Sequence, residues 1–253
     1  MGKRLLVIGD TIIDEYIDLK AVGLSLESPT IKTEPAGSKI VFGGAANVAK
    51  FARKFGMDVD FITCMSTDSE ELFLSRFDVN LLNANYTVEN RKTRFYIEHG
   101  DEKYKHLQIN KINKLSMNVK WNFSLYDTIA FSDYRCGLIQ SPVIRRAMKS
   151  HCEIFGASQM SDKEPNFHQY MGLDYIVCNK KESESFERRH NVVITDGSKG
   201  SELNGVHYEA KPVDNIKNTI GAGDCFYAAF LAYKDVEKAN QIAADYVEGK
   251  YEF

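Results

Sequence analysis

The clearest chemistry-bearing pattern lies near the end of the chain, where Asn218-Thr-Ile-Gly221-Ala222-Gly223-Asp224 precedes an apolar run. Glycines at the start of a helix leave backbone N–H groups open to a ligand, and the helix dipole adds positive potential there. Such a turn can stabilise the charge of a transferring phosphoryl group, and Asp224 at its mouth can accept a proton from an attacking hydroxyl. The alternative is an ordinary turn whose aspartate only caps the helix.

Two common nucleotide-binding signatures are absent from the sequence. There is no G-x-x-x-x-G-K-[ST] segment, and no G-x-G-x-x-G segment follows the first apolar run. Both signatures wrap glycine-rich backbone around phosphates. A nucleotide would therefore have to bind through a different loop.

Four segments resemble the landmarks of ribokinase-like (pfkB-type) sugar kinases, in the family's order. The Gly-Ala-Gly-Asp turn before an apolar helix resembles the C-terminal signature of that family. The three earlier segments are Gly43-Gly44-Ala-Ala-Asn47, Asn179-Lys-Lys-Glu182 and Thr195-Asp-Gly197-Ser-Lys-Gly200. The resemblance covers nearly the whole chain. It implies an α/β fold with a mainly parallel central sheet, flanking helices and a small β-strand lid.

The same resemblance implies transfer of the γ-phosphoryl group of Mg-ATP to a sugar hydroxyl, with a role for each segment. Asp224 is the expected general base, and the backbone of Gly221, Ala222 and Gly223 is expected to surround the phosphoryl group. The residues expected to bind the sugar are Asp14, Gly43, Gly44, Asn47 and Arg94. The residues expected to bind ATP are Thr195, Gly197, Gly200 and Asn240, and those expected near Mg²⁺ are Asn179 and Glu182.

Each of these segments also has a purely structural interpretation. Gly43 and Gly44 could let a helix pack closely on the sheet, and Asp14 could be a solvated turn residue. Asn179 and Glu182 have the spacing of a helix capping box, which is compatible with a metal-binding role. The Thr195 segment could be a simple hairpin turn.

Shorter segments resemble one branch of the family, the kinases of ADP-heptose synthesis. They are Gly9-Asp10-Thr-Ile-Ile-Asp14-Glu-Tyr16, Leu26-Glu-Ser-Pro29 and Phe131-Ser-Asp-Tyr134. This branch phosphorylates heptose 7-phosphate at the anomeric hydroxyl, and Arg91, Lys92 and Arg94 are candidates to bind the phosphate. Ribose, fructose, fructose phosphate and nucleosides remain open as substrates.

Two departures from the family pattern favour a rival interpretation, a non-catalytic protein that binds sugar or nucleotide. Asn218 stands where the family usually has an aspartate associated with cation binding. The chain also ends at Phe253, where relatives continue, which predicts a more open nucleotide pocket. Against this rival, Asp224 and its glycines are present.

The secondary-structure pattern predicts one α/β domain over residues 1–253 that positions these segments. A strand is predicted over residues 3–9, a helix over about 45–55, and a strand from Asp58 before a helix that opens at Thr67. Strands near 128–131, 152–156, 174–178 and 191–195 alternate with helices near 140–150 and 180–189, which indicates a parallel sheet covered by helices. Helices near 222–233 and 235–247 follow.

The predicted lid strands fall within about 12–42 and 92–110. Alternating apolar residues on both sides of Gly100-Asp101 predict a hairpin with Phe95, Ile97, Leu107 and Ile109 on one face. An isolated two-stranded ribbon with an apolar face is only marginally stable in water. We therefore expect a homodimer paired through the lid strands. The alternative is a monomer in which residues 16–42 complete the lid.

Composition and charge narrow the class of protein. The 253 residues are 43% hydrophobic and 26% charged, with a formal net charge of −3. These values are typical of a globular protein and give no electrostatic reason to expect nucleic acid. The first apolar run stops at Gly9, too short for a secretion signal or membrane span. Five widely spaced cysteines argue for reduced thiols, so we expect a cytoplasmic protein without disulfides or a zinc site.

Overall fold

The computed structural model describes residues 3–100, 102–116, 121–159, 165–187 and 191–251. Thirteen strands are found in these ranges and form two sheets. In chain order the strands are β1 (Arg4–Gly9), β2 (Thr11–Leu24), β3 (Ile31–Gly44), β4 (Asp58–Thr63), β5 (Asn80–Asn83), β6 (Asn90–His99), β7 (Glu102–Lys111), β8 (Thr128–Asp133), β9 (Glu153–Ser158), β10 (Tyr175–Asn179), β11 (Val192–Thr195), β12 (Ser201–Leu203) and β13 (Val206–Tyr208). The helices are α1 (Ala45–Lys54), α2 (Thr67–Leu74), α3 (Ser141–Ala147), α4 (Lys180–Ser183), α5 (Ala222–Tyr233) and α6 (Val236–Val247).

The larger sheet has nine strands in the order β13-β12-β11-β10-β9-β8-β1-β4-β5. From β11 to β5 every pairing is parallel, and only β12 and β13 run antiparallel at one edge. Strands that are buried on both faces need apolar residues at consecutive positions, as β1 has from Leu5 to Ile8. The predicted mainly parallel sheet with flanking helices is confirmed.

Two apolar cores cover the two faces of this sheet. Leu5 and Val7 of β1 pack in a core with α1, α5 and α6, whereas Leu6 and Ile8 pack in a second core with α3. Helix α1 approaches the sheet closely because its buried positions include four alanines, Ala45, Ala46, Ala49 and Ala52. This tight contact fixes the position of Asn47, which lies on the same helix.

The smaller sheet has the order β3-β2-β6-β7, and we call it the lid sheet. Its strands β2 and β3 form a long antiparallel hairpin, and β6 pairs parallel with β2. Phe95 pairs with Leu107, and Thr93 pairs with Ile109. The four predicted apolar residues of β6 and β7 therefore share one face, although a bulge brings Tyr104 opposite Ile97.

Most of the predicted elements are confirmed within a few residues, and two helices are shorter than predicted. The helix predicted near 140–150 begins at Ser141, with Pro142 in its first turn, and ends at Ala147. The helix predicted near 180–189 ends at Ser183, so only one turn forms, and residues 188 and 189 of that prediction lie outside the described ranges. No helix in the described ranges combines the length and apolar character needed to cross a membrane.

Polar side chains collect at one edge of the large sheet because parallel strands end there together. Asp10 follows β1, Tyr134 follows β8, Asn179 ends β10 and Thr195 ends β11. The carboxyl edge of an open α/β sheet is where ligands usually bind. The start of α5 and the lid sheet border this same edge.

Candidate active site

Three connected cavities lie along the carboxyl edge of the large sheet. The lid cavity, about 590 Å³, lies between the lid sheet and the start of α5 and includes Asp14, Asn47 and Arg94. The central pocket, about 130 Å³, includes Tyr134, Asn179 and Glu182. The outer cavity, about 390 Å³, includes Gly197, Gly200, Phe226, Asn240 and Val247. Asp224 lines both the lid cavity and the central pocket, and Gly223 lines both the central pocket and the outer cavity.

Asp224 is oriented by two hydrogen bonds from different parts of the chain. Asn47 Nδ2 donates to its Oδ2 at 2.8 Å, and the Tyr134 hydroxyl donates to its Oδ1 at 2.5 Å. A carboxylate oxygen can accept more than one hydrogen bond, so both oxygens keep capacity for a substrate hydroxyl. The carboxylate is therefore fixed in direction while remaining a usable acceptor.

Burial raises the pKa of Asp224 above its ordinary value, against the opposing effects of Tyr134, Asn47 and Lys50. A general base works best when its pKa lies near the working pH. The dry environment thus makes Asp224 a better base than a solvated aspartate. Tyr134 is more strongly affected, and burial together with the Asp224 charge raises its pKa well above 10.0. Its hydroxyl therefore stays protonated and acts as a donor.

The turn before α5 brings its backbone close to Asn47. Gly221 has φ 88°, and a Cβ there would lie 3.1 Å from both Asn47 Nδ2 and the Tyr246 hydroxyl. Glycine is required at this position by conformation and by space. Gly223 differs, because a Cβ built on it would have no atom within 4 Å beyond its neighbours. The fold does not require glycine at position 223, so its small size leaves room for a ligand.

Asn218 acts as a turn residue beside this site. Its Oδ1 accepts a hydrogen bond from the Ile220 N–H at 2.9 Å. The side-chain amide of Asn218 also lies 3.4 Å from the Tyr246 hydroxyl, which in turn donates to the Ile220 carbonyl at 2.6 Å. An aspartate would accept the same N–H bond, so the asparagine preserves the turn, while it removes a negative charge and adds a donor toward Tyr246.

The residues expected to bind the sugar lie together around the lid cavity. Gly43, Gly44 and Asn47 form its floor, and Asp14 and Arg94 lie on the lid sheet. Arg94 Nη1 pairs with Asp14 Oδ1 at 2.5 Å, and its guanidinium lies over the Tyr16 ring. Position 44 also requires glycine for a structural reason, because a Cβ there would lie 2.4 Å from the Asp10 carbonyl oxygen.

Arg91 does not line the lid cavity. It pairs with Glu89 at 2.8 Å and with Glu15 at 3.3 Å, on the opposite face of the lid sheet. Alternation along β6 explains this, since Lys92 and Arg94 share one face and Arg91 must point to the other. Arg91 is therefore removed from the phosphate candidates.

Asn179 and Glu182 form the predicted capping box. Glu182 N–H donates to Asn179 Oδ1, and Asn179 N–H donates to Glu182 Oε2, both at 2.8 Å. No group of three or more His, Cys, Asp or Glu side chains within the described ranges is arranged to hold a metal. Mg²⁺ bound with a nucleotide takes most ligands from phosphates and waters and needs only one or two carboxylates. Glu182, in the central pocket beside Asp224, fits that requirement.

The residues expected to bind ATP lie around the outer cavity, but two of them have structural contacts of their own. Asn240 accepts from the Ser201 hydroxyl at 3.0 Å and donates to the Tyr208 carbonyl at 3.1 Å, so it holds α6 against β12 and β13. Gly200 closes the β11–β12 hairpin, where a Cβ would lie 2.0 Å from the Tyr208 carbonyl oxygen. Thr195 and Gly197 remain at the cavity wall. The wall of the outer cavity includes the apolar side chains of Phe226 and Val247, which suit the flat nucleobase of ATP.

Two side chains of the site were not among the candidates from sequence. Tyr134 donates to Asp224, and the loop that carries it is held by Asp10, which accepts the N–H groups of Tyr134, Cys136 and Leu138. The signal in the sequence was the position of Tyr134 directly after a buried strand. Lys50 lies one turn beyond Asn47 on α1, buried beside the lid cavity, with its ammonium 3.2 Å from the Phe42 carbonyl oxygen. A lysine in an otherwise apolar helix face was the signal for it.

Comparison with curated proteins gives distant relatives that include bifunctional proteins HldE. The bifunctional protein HldE of Nitratiruptor sp. is 27% identical over 195 residues, which cover 72% of this chain and 41% of that protein. HldE of Bradyrhizobium diazoefficiens is 25% identical over 269 residues, covering 90% of this chain and 54% of that protein. The chain thus spans about half the length of these relatives.

Comparison with solved structures gives the fold. Ribokinase of Arabidopsis thaliana, solved with ribose and ATP, has a TM-score of 0.73 at 16% identity and covers 98% of this chain and 92% of its own. Nucleoside kinase of Methanocaldococcus jannaschii has a TM-score of 0.65 at 18% identity and covers 98% and 92%. The ribokinase-like fold is therefore confirmed.

A family model covers most of the chain. The model described as pfkB family carbohydrate kinase matches residues 3–244, a range that includes both hydrogen-bond donors to Asp224 and all three cavities except for Tyr246 and Val247. This chain belongs to the pfkB family of carbohydrate kinases.

Proposed function

We propose that this chain transfers the γ-phosphoryl group of ATP to a hydroxyl of a phosphorylated sugar, with heptose 7-phosphate as the first candidate. The observation that carries the proposal is the position of Asp224 at the junction of the lid cavity and the central pocket. One cavity can hold the sugar and the other the phosphoryl group, so the base lies where the new bond forms. The HldE relatives support the heptose phosphate assignment.

The chain's own residues supply positioning, a base and an anion site. Asn47 and Tyr134 hold the Asp224 carboxylate so that one oxygen meets the attacking hydroxyl and takes its proton. The N–H groups at the start of α5 would stabilise the negative charge on the phosphoryl oxygens. Correct alignment of hydroxyl and phosphoryl group supplies most of the rate in such reactions.

Mg²⁺ and ATP complete the proposed site. The ribokinase of Arabidopsis thaliana was solved with ribose and ATP, and the outer cavity of this chain has a wall suited to a nucleobase. Mg²⁺ would neutralise charge on the phosphate oxygens, and Glu182 would hold it, in part through waters. Thr195 and Gly197 would contact the phosphates from the β11–β12 turn.

We also propose that the chain works as one kinase unit that pairs through its lid sheet, in the cytoplasm. The outer face of the lid sheet exposes Leu107 and Ile109 by 49% and 52%. Exposed apolar side chains in a row on one sheet face are typical of an interaction surface. All five cysteines are free and buried, which agrees with a reducing environment.

The function is tested by measuring ADP formation with Mg-ATP across a panel of sugars and sugar phosphates. The panel contains heptose 7-phosphate, fructose 6-phosphate, ribose 5-phosphate, and the three unphosphorylated sugars. We expect turnover with heptose 7-phosphate and little with the free sugars. Preferred turnover of ribose or fructose would overturn the substrate assignment. Binding of sugar or ATP with no ADP formed would instead favour the non-catalytic binding protein.

A further inference from the structure

The lid cavity carries more positive than negative charge. Its cationic side chains are Lys39, Lys50, Lys92, Arg94 and Lys103. Its carboxylates are Asp14, Asp18 and Asp224. Five cations therefore face three anions in a space the size of one small ligand, and a neutral sugar would leave this excess uncompensated.

Two of the five cations are already paired within the lid sheet. Arg94 is bound to Asp14 at 2.5 Å, and Lys103 is bound to Asp18 at 2.8 Å. A third, Lys50, is held at the cavity floor by the Phe42 carbonyl. These three side chains have protein partners that account for their positions.

Lys39 and Lys92 are different. Across the described ranges of the chain, neither ammonium group makes a hydrogen bond or an ion pair, although both side chains line the cavity. Lys92 is only partly exposed, so its free charge is held inside the cavity mouth and not in open solvent.

The register of the lid sheet places the two lysines on either side of one strand. Lys39 of β3 pairs with Tyr16 of β2, and Lys92 of β6 pairs with Asp14 of β2. Two strands apart corresponds to about 10 Å between the backbones, since neighbouring strands are about 4.8 Å apart. The long flexible stem of lysine lets both ammonium groups reach one anion between them.

We propose that Lys39 and Lys92 bind the phosphate group of a phosphorylated sugar and so select sugar phosphates over neutral sugars. This inference deepens the proposed function and rests on it. A phosphate monoester carries roughly −1.5 to −2 charge near pH 7, which matches two unpaired cations. Lysine is a common point-charge partner for phosphate.

The placement also sets which end of the sugar reacts. The two lysines lie on the lid sheet, whereas Asp224 lies at the start of α5, on a different wall of the same cavity. A substrate held by its phosphate at the lid presents its other end to Asp224. A sugar with phosphate and reactive hydroxyl at opposite ends, such as heptose 7-phosphate, meets this requirement.

The test compares the parent chain with the double variant Lys39→Ala/Lys92→Ala. The matched control is Lys32→Ala/Lys111→Ala, which removes the same charge from exposed positions of the lid sheet outside the cavity. Calorimetric titration without nucleotide measures binding of the three sugar phosphates and three free sugars in the panel. Kinetics with Mg-ATP give kcat and KM for the same compounds.

We expect the parent to bind at least one sugar phosphate more than about 10-fold more tightly than its free sugar. The double variant should lose about 10²-fold in that affinity, the scale of two charge-assisted hydrogen bonds. The loss should appear in KM with little change in kcat, and the control variant should behave as the parent does.

Three results would overturn the inference. The first is that the parent binds no sugar phosphate more tightly than the corresponding free sugar. The second is that the double variant binds sugar phosphate with an affinity within about threefold of the parent's. The third is that the control variant loses as much affinity as the double variant does. Because binding is measured without nucleotide, the inference is separable from the proposed function. A parent that binds sugar phosphate through the two lysines but forms no ADP would contradict the kinase proposal alone.

Discussion

Asn47 and Asp224 are 177 residues apart in sequence, yet the amide of Asn47 donates to the carboxylate of Asp224 at 2.8 Å. The bond joins α1 to α5 across the floor of the lid cavity. It links a residue expected to bind sugar directly to the expected base, so movement of one changes the direction of the other.

Replacing the base tests the assignment of Asp224. Asp224→Asn removes the proton acceptor but keeps the size of the side chain, so kcat should fall at least about 10²-fold. Nucleotide affinity should change little, as measured by thermal shift with Mg-ATP. The same substitution at exposed Asp58 is the control and should leave kcat unchanged. A near-parent kcat in Asp224→Asn would remove Asp224 from the mechanism.

Tyr134 sets the ionisation of Asp224. Its hydrogen bond lowers the pKa of Asp224, which burial has raised. Tyr134→Phe removes the donor, so the pKa of Asp224 rises and the base stays protonated to higher pH. The acidic limb of the kcat/KM profile should therefore move upward in pH, with activity largely recovered on the alkaline side. A limb that stays in place would show that the bond does not control the base.

The buried charge of Lys50 should lower the free energy of unfolding. Burial lowers the pKa of Lys50 from 10.5 to about 8, although the Asp224 carboxylate opposes this. Below pH 8 the folded protein holds a dehydrated ammonium at a cost of about 3 kcal/mol. The unfolded chain keeps that proton up to about pH 10.5, so the penalty falls as pH rises through this window.

Lys50→Met should therefore raise the free energy of unfolding at pH 7 by up to about 3 kcal/mol, and the gain should shrink towards pH 10. Urea denaturation at both pH values measures it. Lys54→Met, at an exposed position of the same helix, is the control. A gain that grows with pH, or no gain at pH 7, would contradict the assignment of a charged, buried lysine.

Replacing Gly223 should lower activity without lowering the stability of the folded protein. Beyond its chain neighbours and the backbone of its own helix, a methyl group at this position meets no protein atom within 4 Å, and alanine favours helix over glycine by up to about 1 kcal/mol. Gly223→Ala should therefore leave the protein as stable as the parent or slightly more so, while kcat/KM falls because the methyl group occupies phosphoryl space. Gly221→Ala, at φ 88°, is the contrasting variant and should be destabilised. Full activity in Gly223→Ala would mean that the phosphoryl group lies elsewhere.

The lid sheet should hold a dimer. Light scattering at micromolar concentration should give twice the 28.7 kDa mass of one chain. Leu107→Lys/Ile109→Lys places two charges on the outer face and should give the single-chain mass. A control with Lys20→Ala and Lys105→Ala, on the other face of the lid sheet, should stay dimeric. A mass near 28.7 kDa for the parent, unchanged by sugar and nucleotide, would exclude the dimer.

The sequence by itself determined the elements and the main chemistry. Short continuous apolar runs such as Leu5 to Ile8 are typical of strands that are buried on both faces, which predicts a parallel sheet. The Gly-Ala-Gly-Asp turn carries its own geometry, because glycine before a helix exposes backbone N–H groups whatever surrounds it. Such local signals need no knowledge of distant contacts.

The tertiary structure alone decided which of these residues lie together and which of them have hydrogen-bond partners within the protein. Alternation on β6 turned Arg91 away from the cavity and left Lys92 in it, and this depends on which face of the lid sheet covers the site. Asn240, expected at ATP, lines the outer cavity and also bonds to Ser201 and Tyr208. Tyr134 and Lys50 became part of the site only because the end of β8 and the first turns of α1 lie beside the start of α5. Pairing between residues far apart in sequence depends on packing of the whole chain, and no local pattern records it.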